Sequence, residues 1–175
     1  MHSTLSMTAT ALFSPQTRLP RTHERNSCLN PRERQIELRV TVNANKRRIF
    51  DALTLPEYTE TWLCLPCNHT DCHTIASQSR DHHFRFDHFI AGTIDLSISG
   101  SYQVCRRGKM SFTWHKSNAL QEPGNSPETA VLIRLNGEFS SSTLYLSHSG
   151  FFSADEFRWH HDMWRRSLKK LQSLF

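Results

Sequence analysis

The C-terminal stretch from Ser147 to Phe175 places the strongest constraint on how this chain can fold. Apolar and ring-bearing side chains recur there at alternating steps of four and three residues, which aligns them along one stripe of an α-helix. The stripe consists of Phe157, His161, Trp164, Leu168, Leu171 and Phe175. Ser153 is a suitable N-cap with Glu156 three residues later, so we predict a helix over residues 154–175, roughly 33 Å long. The stripe needs a covering surface of similar length, which a curved sheet would supply.

The rest of the chain indicates one domain preceded by a polar arm. Residues 1–34 hold three prolines and show no sustained period, so we expect a disordered N-terminal arm and a domain over residues 35–175. The formal net charge of +5 is scattered between the arm and the last helix. Because no nucleic-acid-binding motif accompanies this charge, we expect no nucleic-acid partner.

The sequence also gives an expected location. It contains no apolar run long enough for a membrane span, and the first residues form only a broken apolar run before Pro15. We therefore expect a cytoplasmic protein without a membrane span, whose five cysteines are thiols rather than disulfides.

Between the arm and the last helix, the hydrophobic period is mostly two. Residues 35–42 alternate as a half-buried strand, and residues 45–53 and 55–63 then predict two short helices, the second with Pro56 in its first turn. From residue 84 onward alternation returns in several segments, and Asn136-Gly137 signals a turn. The predicted order is one strand, two short helices, about six antiparallel strands and one long helix.

Three segments carry a resemblance to a known superfamily. They are residues 36–63, which end in PEYTETWL, residues 109–116 (KMSFTWHK), and residues 144–174, which contain HSGF followed by a helix with a central Trp. Together they resemble the START-like (SRPBCC) helix-grip superfamily. Within it they are similar to homologues of the activator of the heat-shock chaperone ATPase. The resemblance covers about residues 35–175.

This resemblance implies a fold and a cavity. The fold is α+β, with a curved antiparallel sheet of about six to seven strands wrapped around the C-terminal helix and two short helices after the first strand. A cavity is expected between sheet and long helix. One departure is Met163, which stands where many relatives have glycine before the helix Trp. Because this side chain could narrow the cavity, ligand size does not follow from the resemblance.

Candidate site residues come from the inferred inner faces. His148 follows Leu144 and Leu146 at a period of two, and His161 lies on the helical stripe, so both imidazoles could orient a polar ligand or close the packing. The aromatic residues could form a pocket wall or plain core. The predicted ligand-binding set is Trp62, Phe86, Tyr102, Phe112, Trp114, His148, Phe157, His161 and Trp164.

A Cys- and His-rich connection follows the second short helix. It holds Cys64, Cys67, His69, Cys72 and His73 within ten residues. These side chains could supply tetrahedral ligands to zinc, but no second distant pair accompanies them, so we interpret the segment as an ordinary loop and expect no metal or cofactor. Whether it binds a metal stays open at this point.

Three functions agree with these observations. The first is a binding module that takes a lipid or aromatic metabolite, a small apolar or amphipathic ligand, in its cavity. The second is a cavity enzyme of the cyclase or dehydratase type that uses His148 or His161, which the resemblance to START-like proteins allows. The third is an accessory factor of a chaperone ATPase, with the chaperone or a second copy of the chain as partner. We favour binding over catalysis, because no paired carboxylates or nucleophile motif is readable.

Overall fold

The computed structural model describes residues 34–67, 70–79, 81–118 and 128–175. The predicted arm lies outside these residues except for Arg34. The elements in chain order are β1 (Gln35–Val42), α1 (Lys46–Thr54), α2 (Pro56–Trp62), β2 (Cys72–Gln78), β3 (His83–Ile90), β4 (Thr93–Arg106), β5 (Lys109–Asn118), β6 (Thr129–Glu138), β7 (Ser141–Ser149) and α3 (Ala154–Gln172).

The seven strands form one curved antiparallel sheet in the order β1-β7-β6-β5-β4-β3-β2. β1 and β2 therefore lie at opposite edges, and α1 and α2 lie between them in the chain. The inner face of the sheet packs against these two helices and α3. This arrangement confirms the predicted helix-grip fold, with the core between the sheet and the helices.

Local sequence explains why the helices begin where they do. The side chain of Asn45 accepts a hydrogen bond from the Arg48 amide at 3.0 Å and caps α1. The helix then buries Ile49, Ala52 and Leu53. Pro56 occupies the first turn of α2, where its missing N–H costs no helical hydrogen bond.

Two local features differ from the sequence prediction. β2 begins at Cys72, inside the stretch predicted as a loop, because strand β3 offers it a complete antiparallel partner. The turn between β6 and β7 lies at Phe139 and Ser140, not at Asn136-Gly137. Gly137 pairs with Ser142 in the ladder at a φ of 143°, and a Cβ there would lie 2.5 Å from the Ser141 carbonyl oxygen. Glycine is therefore needed at position 137, because the backbones of β6 and β7 come too close there to admit a side chain.

The N-terminus of α3 provides a first test of this structure. Ser153 accepts a hydrogen bond from the Glu156 amide at 3.0 Å, so Ser153→Ala should lower the free energy of unfolding by about 1 kcal/mol. The measurement is the urea midpoint. Ser173→Ala is the control at the exposed C-terminal end of the helix, where we expect a change within about 0.5 kcal/mol. Equal losses in both variants would contradict the cap.

Candidate functional site

Aromatic side chains from the sheet and the helices converge on one interior chamber. Trp114 is its centre: its ring lies 5.0 Å from that of Trp164 on α3 and 6.1 Å from those of Phe84 and Phe86 on β3. α2 closes the chamber from one side with Thr59 and Trp62. The full lining is Leu53, Thr59, Trp62, Leu63, Phe84, Phe86, Tyr102, Met110, Phe112, Trp114, Ile133 and Trp164.

The chamber is almost filled by its own walls. Its volume is ≈ 20 Å³, enough for about one water molecule. Clefts that hold drug-sized ligands are typically about 300–1,000 Å³. The rings that the sequence suggested as a pocket wall are thus packed against one another as core in this conformation, and a larger occupant requires part of the wall to move.

The polar groups of the chamber wall differ in how they are satisfied. The indole N–H of Trp62 donates to the Ala52 carbonyl at 2.7 Å. The indole N–H of Trp114 is buried and has no hydrogen-bond partner among the described residues. Burial raises the pKa of Tyr102, so its hydroxyl remains protonated and can donate. An unmatched buried donor costs about 1–3 kcal/mol, which an acceptor reaching Trp114 would recover.

His148 lies beside the chamber in a fully specified hydrogen-bond chain. The Trp164 N–H can only donate, and it donates to His148 Nδ1 at 2.9 Å. The proton of the neutral imidazole is then on Nε2, which donates to the Thr129 hydroxyl at 2.6 Å. Thr129 in turn donates to the Trp114 carbonyl at 2.9 Å. Both ring nitrogens are engaged, so His148 joins β7, β6, β5 and α3.

Burial keeps the imidazoles of this region neutral. Desolvation lowers the pKa of His148 well below its usual value, and the nearby His160 lowers it further. Burial likewise lowers the pKa of His160 to about 4, although its hydrogen bond to the Glu156 carbonyl opposes the shift. Protonated His148 would turn a second N–H toward the Trp164 donor. The neutral form is therefore the one that fits.

The histidine predicted to lie on the buried stripe of α3 is the wrong one of an adjacent pair. His160 is buried and its ring lies 4.9 Å from that of His148, whereas the side chain of His161 is 37% exposed and faces Asp162. The reason is that the buried face of α3 is centred closer to Met163 and Ser167, both fully buried, than the predicted stripe. This face includes His160 and leaves His161 at its margin. His161 is therefore not placed to act inside the chamber.

The other predicted ligand-binding residues divide into two groups. Phe157 lies outside the chamber, half-buried, with its ring against Phe151 and His161. Phe84 was not in the predicted set, although it lies two residues before Phe86 on the same inner face of β3 and also lines the chamber. The six that line the chamber are Trp62, Phe86, Tyr102, Phe112, Trp114 and Trp164.

The Cys- and His-rich segment contributes to a second cluster. One ligand atom each of Cys67, Cys72 and His88 lies within 4.8 Å of the others. His88 belongs to β3 and is buried, and burial lowers its pKa. His73, by contrast, is exposed and stacks on Phe89.

Two further candidates of that segment lie elsewhere. Cys64 is half-buried and is not part of this cluster, and its backbone N–H donates to the Ser167 hydroxyl oxygen at 2.9 Å. His69 falls outside the described residues. The set of candidate metal ligands named from the sequence thus differs from the set that the fold brings together.

The curved sheet that grips a C-terminal helix, with two short helices after its first strand, defines a START-like (SRPBCC) protein. Residues 43–175 match the family model described as activator of Hsp90 ATPase homolog 1-like protein. Since this match spans well over half of the chain, the protein belongs to that family.

Solved structures agree on the fold. Protein CV1439 from Chromobacterium violaceum is 17% identical, with a TM-score of 0.65, over 80% of this chain and 96% of that chain. Protein MLL2253 from Mesorhizobium loti is 18% identical, with a TM-score of 0.61, over 81% and 96%. CalU16 from Micromonospora echinospora is 19% identical, with a TM-score of 0.54, over 78% and 73%. At these identities the likeness concerns the fold alone.

No curated protein matches the sequence. Among the described residues, no helix combines the length and apolar character needed to cross a membrane.

Proposed function

We propose that this domain binds a small apolar or amphipathic molecule between its sheet and the helices α2 and α3. The observation that carries the proposal is the unmatched indole N–H of Trp114 in a chamber whose wall is mostly aromatic and aliphatic, apart from the hydroxyls of Thr59 and Tyr102. Such walls suit flat or aliphatic ligands, and one convergent polar group would fix their orientation. A carbonyl, ether or carboxylate oxygen of the ligand would accept from Trp114.

Binding would require the chamber to open, and α2 is the element best suited to move. It is only seven residues long, and its N-cap, Leu55, makes no side-chain cap hydrogen bond. It contributes Thr59 and Trp62 to the wall. One hydrogen bond between the sheet and α2 is donated by the Ala76 amide to the Glu60 carboxylate at 2.8 Å. A ligand would displace α2 outward and replace its apolar contacts.

The experiment is native mass spectrometry with calorimetric titration. The panel contains medium-chain fatty acids and one- and two-ring aromatic ketones and carboxylates. We expect at least one of them to bind with a stoichiometry of one, and Trp114→Phe to weaken that ligand about tenfold, because one hydrogen bond is lost while a ring is retained. Trp159→Phe is the matched control: Trp159 is half-buried on α3 beneath Lys116 and outside the chamber.

The effects of the two Trp variants distinguish binding in the chamber from binding elsewhere or no binding. Equal weakening by the two Trp variants, or none by Trp114→Phe, would place the ligand elsewhere. No binding by any member of the panel would favour the packed core as the end state. Single replacements test the other residues predicted to bind the ligand in the same way; Phe157 and His161, which lie outside the chamber, should affect binding least.

The two other functions have less support. The enzyme alternative loses ground because both nitrogens of His148 are already engaged and His161 faces outward. The accessory-factor alternative rests on the family's name. It would be favoured if the purified chain accelerated ATP hydrolysis by a purified Hsp90-type chaperone.

A further inference from the structure

We propose that Cys67, Cys72 and His88 form a binding site for a thiophilic divalent cation, of which Zn²⁺ is the best fit. The site is separate from the aromatic chamber and independent of the function proposed for it. It lies where the chain leaving α2 enters the edge strand β2 and meets β3. Nothing in the spacing of the cysteines alone singles out this set.

The first support is the geometry of the three ligand atoms. The two sulfur atoms and one ring nitrogen of His88 all lie within 4.8 Å of one another. Zinc bonds are about 2.3 Å to sulfur and about 2.0 Å to nitrogen, so the three atoms need to close in by only about 1 Å. The two thiols already contact each other through a hydrogen bond. Two thiolates and one imidazole form a known zinc ligand set whose fourth position is open to water.

The second, independent support comes from His88. Its side chain is only 3% exposed, and Nε2 is buried without a hydrogen-bond partner in the described part of the chain. The other nitrogen, Nδ1, lies 3.2 Å from the Thr74 hydroxyl. Metal-binding histidines are usually oriented by such a bond at the nitrogen that does not bind the ion. If Nδ1 donates to Thr74, Nε2 presents a lone pair to the cation.

The fold explains how distant residues meet. Thr74 pairs directly with His88 in the β2–β3 ladder, and Cys72 lies two residues before Thr74 on the same face of the strand. Cys67 arrives from the connection after α2. Cys67 and Cys72 are half-buried, so an ion has access from solvent. Bound zinc would therefore clamp the end of β2, an edge of the sheet, to its neighbour.

The test is titration of reduced, chelator-treated full-length protein with Co²⁺, a spectroscopic substitute for Zn²⁺. We expect one equivalent to give the strong visible bands of tetrahedral cobalt and a thiolate-to-cobalt charge-transfer band, and Zn²⁺ to displace them. Cys67→Ser, Cys72→Ser and His88→Gln should each weaken binding by more than about a hundredfold, the most that outer-shell changes usually cost.

Two controls separate this site from its neighbours. Cys105→Ser removes the exposed thiol of β4, and His73→Gln removes the exposed imidazole of β2, so both variants should bind cobalt like the original protein. An octahedral cobalt spectrum without the charge-transfer band would overturn the proposal. So would retention of binding in Cys67→Ser, or its loss in His73→Gln.

A measurement on the unmodified chain guards against variants that fail to fold. Iodoacetamide labelling, followed by peptide mass spectrometry, compares zinc-loaded with chelator-treated protein. We expect zinc to slow the alkylation of Cys67 and Cys72 at least tenfold and to leave Cys105 unchanged. Equal alkylation with and without zinc would contradict the site even if every variant were unstable.

Discussion

Replacing His148 with alanine should lower the free energy of unfolding by about 3–5 kcal/mol, because the change combines a buried cavity with two orphaned polar partners. The imidazole is fully buried and connects Trp164 to Thr129. Its removal leaves an indole N–H unmatched on α3 at the centre of the fold. Urea unfolding followed by circular dichroism measures the loss. A decrease below about 1 kcal/mol would contradict the central role of this chain of hydrogen bonds.

A more conservative substitution separates the effect of the lost hydrogen bonds on stability from the effect of a cavity. Thr129→Val preserves shape but removes the hydroxyl that joins His148 to the Trp114 carbonyl. We expect a loss of about 1–3 kcal/mol, since two buried groups lose a partner. Thr41→Val, at an exposed position on β1, is the matched control and should stay within about 0.5 kcal/mol.

Mild acid should destabilise the protein through His160. Its pKa is about 4 in the folded state and about 6.5 in an unfolded chain, so the unfolded state binds more protons between these values. The contribution of neutral His160 to the free energy of unfolding is therefore fully present above about pH 6.5. Below that, the free energy of unfolding falls by up to about 1.4 kcal/mol per pH unit. The loss from this one residue reaches about 3 kcal/mol near pH 4. His148, whose pKa is also lowered, adds to it.

The environment of His160 explains the direction of its shift. Besides burial, the ammonium group of Lys116 disfavours the imidazolium, and the His148 ring lies 4.9 Å away. Nδ1 must donate to the Glu156 carbonyl, so protonation would place an N–H on the buried, unpartnered Nε2. The pH dependence of the free energy of unfolding therefore includes the cost of burying this unpartnered Nε2–H.

Urea midpoints between pH 7 and pH 4 give the profile. The curve of His160→Gln should be shallower than that of the original protein by about 3 kcal/mol over this range, because glutamine does not titrate. A His160→Gln curve parallel to that of the original protein would show that His160 titrates normally and would contradict this prediction.

Much of the architecture follows from local patterns. Alternation predicted β1 and most of the later strands, and Ser153 with Glu156 predicted the start of α3. These features depend on residues close together in the chain, where side-chain period and capping chemistry decide the outcome. The family resemblance supplied the way in which the elements assemble.

The details of the site depend on packing that a pattern does not specify. His160 and His161 are adjacent at the margin of the helical stripe, and a small rotation of α3 decides which of them is buried. The ≈ 20 Å³ chamber reflects how neighbouring rings fill space, which is a property of the assembled core. His88 joins Cys67 and Cys72 only through the β2–β3 register, so no spacing along the chain predicts it.

The edge position of β1 also bears on how the chain folds during synthesis. Among the strands that the structure describes, β1 is translated first and pairs with β7, which is translated last. Gln35 and Ser147, whose side chains are hydrogen-bonded across this pair, are 112 residues apart. During translation, β1 therefore has no strand to pair with until β7 has been synthesised. Because long-range pairings of this kind slow folding and expose strand edges meanwhile, the nascent chain depends on late closure to avoid aggregation.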